Sequence, residues 1–262
     1  MDDSSKQPIS SMPPAYSLEG RVALITGASG LIGREICLEL AARGAYVVAV
    51  YGGNHAAAEM LRSAVTESGG KCETQAIDLT SVDAASNLVG DVVHRHGRLD
   101  VVVPCAGMTL RKPALMTSSE QADILYQLNV RSVLDLSRIS MRMMLREKWG
   151  RVIPVGSRAG AFGLPGQAFY ASTKAALEGW VRSAAFEVGY SSITVNLVAP
   201  GAVRSDNTTI YSPEEEAKVK SQIGLTRLAE PREIASVIGF LASPAASYVS
   251  GAIVAVDGAA RF

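Results

Sequence analysis

From Gly20 onward, short Val/Ile-rich runs alternate with longer stretches in which apolar side chains recur at helical spacing. The runs VALIT (22–26), YVVAV (46–50), CETQAI (72–77) and LDVVV (99–103) read as strands, and the intervals 31–43, 55–68 and 82–96 read as helices. The second half continues the rhythm: one long helix over 119–147, the strand RVIPVGS (151–157), a helix through FYASTKAALEGW, the strand ITVNLVAP (193–200), a helix over 231–242 and a last strand AIVAV (252–256). Nearly unbroken apolar strands that alternate with helices predict an α/β protein, a doubly wound parallel sheet covered by helices on both faces. The interval 201–228 is the longest break in the pattern, and it reads either as a lid or as a plain surface excursion.

Composition narrows this picture without redirecting it. The 262 residues suit one large domain, expected over 18–262, while the polar, Ser/Pro-rich segment 1–17 is expected to be a disordered extension. Lys plus Arg (25) balance Asp plus Glu (25), and no basic run occurs, so nucleic acid and anionic membrane are not expected partners. Cys37, Cys72 and Cys105 are odd in number and scattered in apolar contexts, as expected of free thiols in a reducing cytoplasm. With His55, His94 and His96 they match no metal-ligand spacing, and no metal site is expected.

The chemistry begins at the first strand's end, where Gly27, Ser29, Gly30, Leu31, Ile32 and Gly33 form a glycine-rich turn that opens a helix. A pyrophosphate must lie against backbone N–H groups at such a helix start, and a Cβ would hold it away. The turn therefore reads as a dinucleotide cradle. After the second strand, where a ribose-binding carboxylate is usual, the chain has Tyr51, Gly52, Gly53, Asn54 and His55, with no acid before Glu59. A carboxylate there would repel a 2′-phosphate, so its absence favours NADP(H) over NAD(H), with Tyr51 and Asn54 among the binding positions.

Tyr170 and Lys174 stand four residues apart on a helix, one turn from each other on one face. An ammonium about 4 Å from a phenol, at an effective dielectric near 20, favours the phenolate by roughly 4 kcal/mol, on the order of three pKa units. That would make the phenol an acid and base near neutrality.

The turn, the Tyr170/Lys174 pair and Ser157, thirteen residues before Tyr170, resemble the short-chain dehydrogenase/reductase family from about Leu18 to the C-terminus. The resemblance implies a Rossmann-type fold. It implies that Ser157 binds a substrate carbonyl, that Tyr170 donates a proton as hydride arrives from nicotinamide, and that Lys174 holds the nicotinamide ribose. Asn129 matches the family's asparagine that supports a water chain to that lysine. Asp78 and Leu79 match an adenine-side position, Ala106 and Gly107 the segment after the fourth strand, and Pro200, Gly201, Val203 and Ser205 the nicotinamide-side turn.

Three departures stand out: the turn is spaced TGxxGxxG, which puts Leu31 where a glycine is usual; Pro104-Cys105 replaces an Asn-Asn pair; and Ser205 replaces a threonine. Within the family the chain is most similar to β-ketoacyl-acyl-carrier-protein reductases. That implies a ketoreductase acting on a 3-oxoacyl or polyketide-like thioester, or on a free ketone, with an acyl carrier protein among the candidate partners and a homotetramer as the expected assembly. Of two carrier-docking positions, Lys148 matches and Ser191 does not; Arg111, Lys112 and Arg158 read either as replacement charge or as solvated surface. Phe162, Phe169, Met108 and Leu164 are the candidate pocket wall. A catalytically silent dinucleotide-binding protein is the alternative that the departures keep open.

Overall fold

A computed structural model describes residues 14–205 and 212–261. Strands β1 (Val22–Thr26), β2 (Tyr46–Tyr51), β3 (Lys71–Ala76), β4 (Val101–Val103), β5 (Gly150–Val152) and β6 (Ile193–Val195) form one parallel sheet in the order β3-β2-β1-β4-β5-β6. Strands β7 (Leu197–Pro200) and β8 (Ile253–Val256) pair in parallel and extend it at one edge.

Alternate residues of β1 face opposite sides of the sheet. Ala23 and Ile25 pack with α1 (Leu31–Ala42), α2 (His55–Glu67) and α9 (Pro231–Ala242) through Ile36, Leu40, Leu61 and Ile238. Val22 and Leu24 pack with α3 (Ala84–His96), α5 (Ser132–Glu147) and α7 (Ala168–Val188) through Leu88, Leu136, Leu177 and Val181. Each fully buried Leu, Ile or Val side chain contributes roughly 2 kcal/mol, and the two-sided burial explains why the central strands β1, β2 and β4 carry almost no polar positions, whereas the edge strand β3 is polar and partly exposed.

The structure departs from the pattern at places that matter for the site. The expected helix over 119–147 is α4 (Ser119–Tyr126), a π-helical turn Gln127–Arg131 and then α5, and the turn carries Asn129. The expected strand 151–157 keeps ladder pairing only through Val152, followed by a lone bridge from Val155 to Val198. The strand expected over 193–200 is interrupted at Asn196, whose amide donates to Val249 O (2.7 Å) and accepts from Ala252 N (3.0 Å). Asp83 sits in the left-handed region, so α3 starts at Ala84 and not at Val82. Two helices were not anticipated: α6 (Ala159–Phe162) and, inside the long interruption, α8 (Pro213–Ser221), which a Ser212/Glu215 capping box starts. In the expected N-terminal extension Pro14–Tyr16 form one 3-10 turn, and its first thirteen residues lie outside the described ones.

Candidate active site

Strands β1, β4, β5 and β7 end along one edge of the sheet, where loops part on either side of β1 and β4, the position at which parallel sheets form ligand crevices. A cleft of about 900 Å³ runs along this edge. Its walls include Gly27, Ser29, Gly30, Leu31, Ile32, Gly33, Tyr51, Asp78, Leu79, Ala106 and Gly107 at one end. Ser157, Tyr170, Lys174, Pro200, Gly201, Val203 and Ser205 line the other.

The glycines of the turn differ in what requires them. Gly27 has φ +69°, and a Cβ there would stand 2.8 Å from the backbone nitrogen of Ala106. A Cβ on Gly33 would stand 2.1 Å from Gly27 O, so helix α1 meets the turn backbone to backbone. Gly30, the N-cap of α1, would bring a Cβ no closer than 3.3 Å to Gly27 O. Gly27 and Gly33 are needed by the fold itself, whereas Gly30 leaves clear the path to the first-turn N–H groups. The cradle fits a dinucleotide pyrophosphate despite its shifted spacing.

Thr26 answers the Pro104-Cys105 departure. Its buried hydroxyl accepts from both Cys105 N and Ala106 N at 3.1 Å, so a side chain on β1 satisfies the donors that follow β4. At the end of β2 the structure has no carboxylate: the Tyr51 hydroxyl meets His55 Nδ1 at 2.6 Å, and Gly52 and Gly53 face open space. Asn54 does not line the cleft. Its Oδ1 caps α2 by accepting from Ala57 N at 3.1 Å, which accounts for the residue without a ligand.

At the other end, Lys174 is nearly fully buried, donates to Val155 O at 3.0 Å, and lies 5.9 Å from the centre of the Tyr170 ring. Burial lowers its pKa to about 8. Burial also raises the Tyr170 phenol above its ordinary value, opposed by a hydrogen bond from Ser157. This overturns the expectation of an ammonium-depressed phenol: desolvation dominates, and the ammonium is directed at a backbone carbonyl. Asn129 lies wholly buried behind the cleft, its amide accepting from Met108 N (2.9 Å) and donating to Met108 O (2.8 Å) and Thr173 Oγ1 (3.2 Å). The π-helical turn re-aims this side chain into the protein, a use such turns often have.

A second cavity of about 680 Å³ shares Thr109, Ser157, Tyr170, Pro200 and Gly201 with the cleft. Phe162 and Leu164 line it, Met108 lines the cleft, and Phe169 lines neither. Helix α8 contributes Glu215, Lys218 and Val219, so part of the interval 201–228 walls this cavity; its residues 206–211 lie outside the described ones. Arg158 pairs with Asp257 at 2.6 Å and Lys112 donates to Gln121 at 2.9 Å, so neither is loose solvated charge. Lys148 caps α5 before β5, on the order of 30 Å of extended chain from Ser157 and at the opposite sheet edge. Ser191 is buried.

Features missed from the sequence include the role of Thr26, which heads the TGxxGxxG turn but gave no sign that its hydroxyl serves Cys105 and Ala106, and Thr80, Thr109 and Gly156 in the cleft walls. Gly160 was also missed, although a Cβ there would meet the Ala175 backbone nitrogen at 2.8 Å. No helix among the described residues is long and apolar enough to cross a membrane, and none of their His, Cys, Asp and Glu side chains group as a metal site.

The family model described as enoyl-(acyl carrier protein) reductase matches residues 27–259. The 3-oxoacyl-(acyl-carrier-protein) reductase FabG of Pseudomonas aeruginosa is 38% identical over 242 residues, 92% of this chain and 98% of that protein. The hydroxynaphthalene reductase arp2 of Aspergillus fumigatus is 38% identical over 247 residues, 89% of this chain and 90% of that one. Among solved structures, a 7α-hydroxysteroid dehydrogenase in complex with NADH and 7-oxo glycochenodeoxycholic acid matches with TM-score 0.90 and 34% identity, covering 94% of this chain and 96% of that chain.

Proposed function

The chain belongs to the short-chain dehydrogenase/reductase family and is an oxidoreductase of that kind, and on this basis we propose that it is an NADPH-dependent ketoreductase with Tyr170 as proton donor. The observation that carries the reading is that Ser157 and Tyr170 both line the cleft and the second cavity, at the place where the two meet. A carbonyl oxygen seated there would accept from both hydroxyls. Ser157 orients the oxygen and stabilises the charge that grows on it, and Tyr170 gives up its proton as the alcohol forms. Lys174, buried beneath the phenol, supplies a positive field that becomes stronger as water leaves the cleft. When bound, the reduced nicotinamide supplies the hydride. The turn from Gly27 to Gly33 would hold its pyrophosphate, and the acid-free end of β2 favours the 2′-phosphorylated form.

The substrate is a 3-oxoacyl or polyketide-like thioester, in keeping with the FabG relative, and an acyl carrier protein is the corresponding partner. A second reading, a free cyclic ketone, is favoured by the Phe162 side of the second cavity and by the absence of charge at Ser191. The hydroxynaphthalene reductase relative fits this alternative. Exposed Phe186, Tyr190 and Tyr248 support a homotetramer. Steady-state assays that follow NADPH absorbance with acetoacetyl thioesters and a panel of cyclic ketones test the reading, with NADPH expected to show the lower KM against NADH. A protein that binds the cofactor and reduces nothing would overturn it in favour of the silent dinucleotide-binding protein.

A further inference from the structure

We propose that Arg158 is a positioning residue for the reaction, whose ion pair with Asp257 fixes the loop presenting Ser157 against the turn at Pro200-Gly201. This rests on the reading of Ser157 and Tyr170 as the carbonyl-binding pair.

Ser157 leaves the sheet at the end of the β5 segment, where regular pairing has already ceased, so its position depends on the residues after it. On one side Gly160 seats α6 directly on α7, at the backbone of Lys174 and Ala175. That contact ties the loop to the helix bearing Tyr170. On the other side Arg158 N donates to Pro200 O at 3.0 Å, and the Arg158 side chain reaches Asp257 beyond the end of β8 (Nε to Oδ2, 2.6 Å), a contact of charges in which the buried Nε makes no aligned hydrogen bond. The pair is largely withdrawn from solvent, at 19% and 11% side-chain exposure. Asp257 is itself held: its Oδ1 accepts from Ala259 N at 3.1 Å, and its Cα and Cβ lie where a Cβ on Gly201 would come within 2.8 Å. The guanidinium also lies 4.2 Å above the Phe162 ring, a wall of the second cavity. One cation thus joins the serine loop, the nicotinamide-side turn and the substrate wall. A plain surface arginine would have neither the partly buried carboxylate nor the stacked ring. In a partly buried pair, removal of one partner leaves the other charge uncompensated, so the loop shifts to find water.

The groups that face the Tyr170 phenol are Ser157 from this loop, Cys105 from the segment after β4 and Lys174 from its own helix. Of these, Arg158 reaches only Ser157 through the chain. Its loss should therefore act through that hydroxyl.

The test uses Arg158→Met, Arg158→Lys and the near-isosteric Asp257→Asn in the full-length protein. In the absence of cofactor and substrate, amide hydrogen exchange over 157–162 is expected to accelerate at least tenfold in Arg158→Met and Asp257→Asn, with the interior of α7 unchanged. With a ketone that the wild type reduces, kcat is expected to fall about tenfold to a hundredfold, the NADPH dissociation constant to change by much less than kcat, and Arg158→Lys to restore part of the loss. In a Ser157→Ala background Arg158→Met should cost nothing more. Unchanged exchange, or a kcat loss that persists in full beside Ser157→Ala, overturns the proposal. If the wild type reduces no ketone, the functional reading falls while the exchange result still decides whether the pair holds the loop.

Discussion

At the proton-transfer end of the cleft a few polar side chains are buried and their protonation is moved by that burial, whereas at the pyrophosphate end the backbone does the shaping and side chains are largely kept away. Lys174 and Tyr170 are both shifted by desolvation, the lysine down to about 8 and the phenol upward. The Gly27–Gly33 turn carries no titratable group and works by exclusion, since a Cβ at either terminal glycine would overlap neighbouring backbone. Chemistry that moves a proton needs a tuned group; binding a phosphate diester needs exposed N–H groups and room. The two ends should therefore fail differently when altered.

The largest effect is expected at Tyr170. Tyr170→Phe removes the proton donor but retains the ring, so kcat/KM should fall about a thousandfold or more, equivalent to about 4 kcal/mol, while NADPH affinity measured by fluorescence titration is unchanged. Retained turnover would show that the phenol is not the donor and would erase the contrast between the two ends.

The mirror-image experiment at the pyrophosphate end separates two glycines. Gly33→Ala places a Cβ 2.1 Å from Gly27 O and should cost about 3 kcal/mol or more in thermal or denaturant unfolding. Gly30→Ala meets only Gly27 O at 3.3 Å; it should cost under about 1 kcal/mol of stability and lower cofactor affinity. If both variants are equally unstable, Gly30 serves the fold as Gly33 does, and its distinct role in the cradle disappears.

How legible each end was in the sequence follows the same division. The spacing of Tyr170 and Lys174 on one helix and the position of Ser157 are local facts, and local periodicity conveys them. The turn glycines were legible too, but not why each is there, because Ala106, against which Gly27 packs, is remote in sequence. Asn129 was legible only through the family resemblance, since hydrophobic spacing cannot distinguish a π-helical turn from the α-helix around it. The direction of the Tyr170 shift was misjudged because helical spacing conveys the ammonium and not the burial, which only the assembled fold supplies. Thr26 and Gly160 act on partners remote in sequence, so the motif that contains Thr26 does not convey its role and nothing local conveys that of Gly160.

A test comparable in size to the Gly33 variant concerns Lys174 and pH. Below about pH 8 folded and unfolded chains both carry the proton, and the native state bears the full cost of the buried ammonium. Between about 8 and 10.5 the unfolded chain binds more protons, so the wild type should gain stability relative to Lys174→Met as pH rises through that window. The difference amounts to about 3 kcal/mol. Denaturant unfolding of both proteins across this range measures it; a flat difference would mean that the ammonium is solvated.

The smallest effect is expected where the two ends meet, at Cys105. Its N–H is held by Thr26 on the cradle side, and its thiol faces Lys174 on the other. Burial raises the thiol to about 11, and the lysine pulls slightly the other way. At pH 7.5 a thiol with that pKa should react with iodoacetamide roughly 300-fold more slowly than a free cysteine, because only the thiolate attacks. In Lys174→Met the reaction should slow further, since the cation that favours the thiolate is gone. Peptide mapping of alkylated protein resolves Cys105 from Cys37 and Cys72. If Cys105 reacts as fast as a free cysteine, water reaches the floor of the cleft, and the same water would solvate Lys174 and cancel its shift. The two titrating groups thus report on one property, the dryness of the junction, from opposite signs of charge.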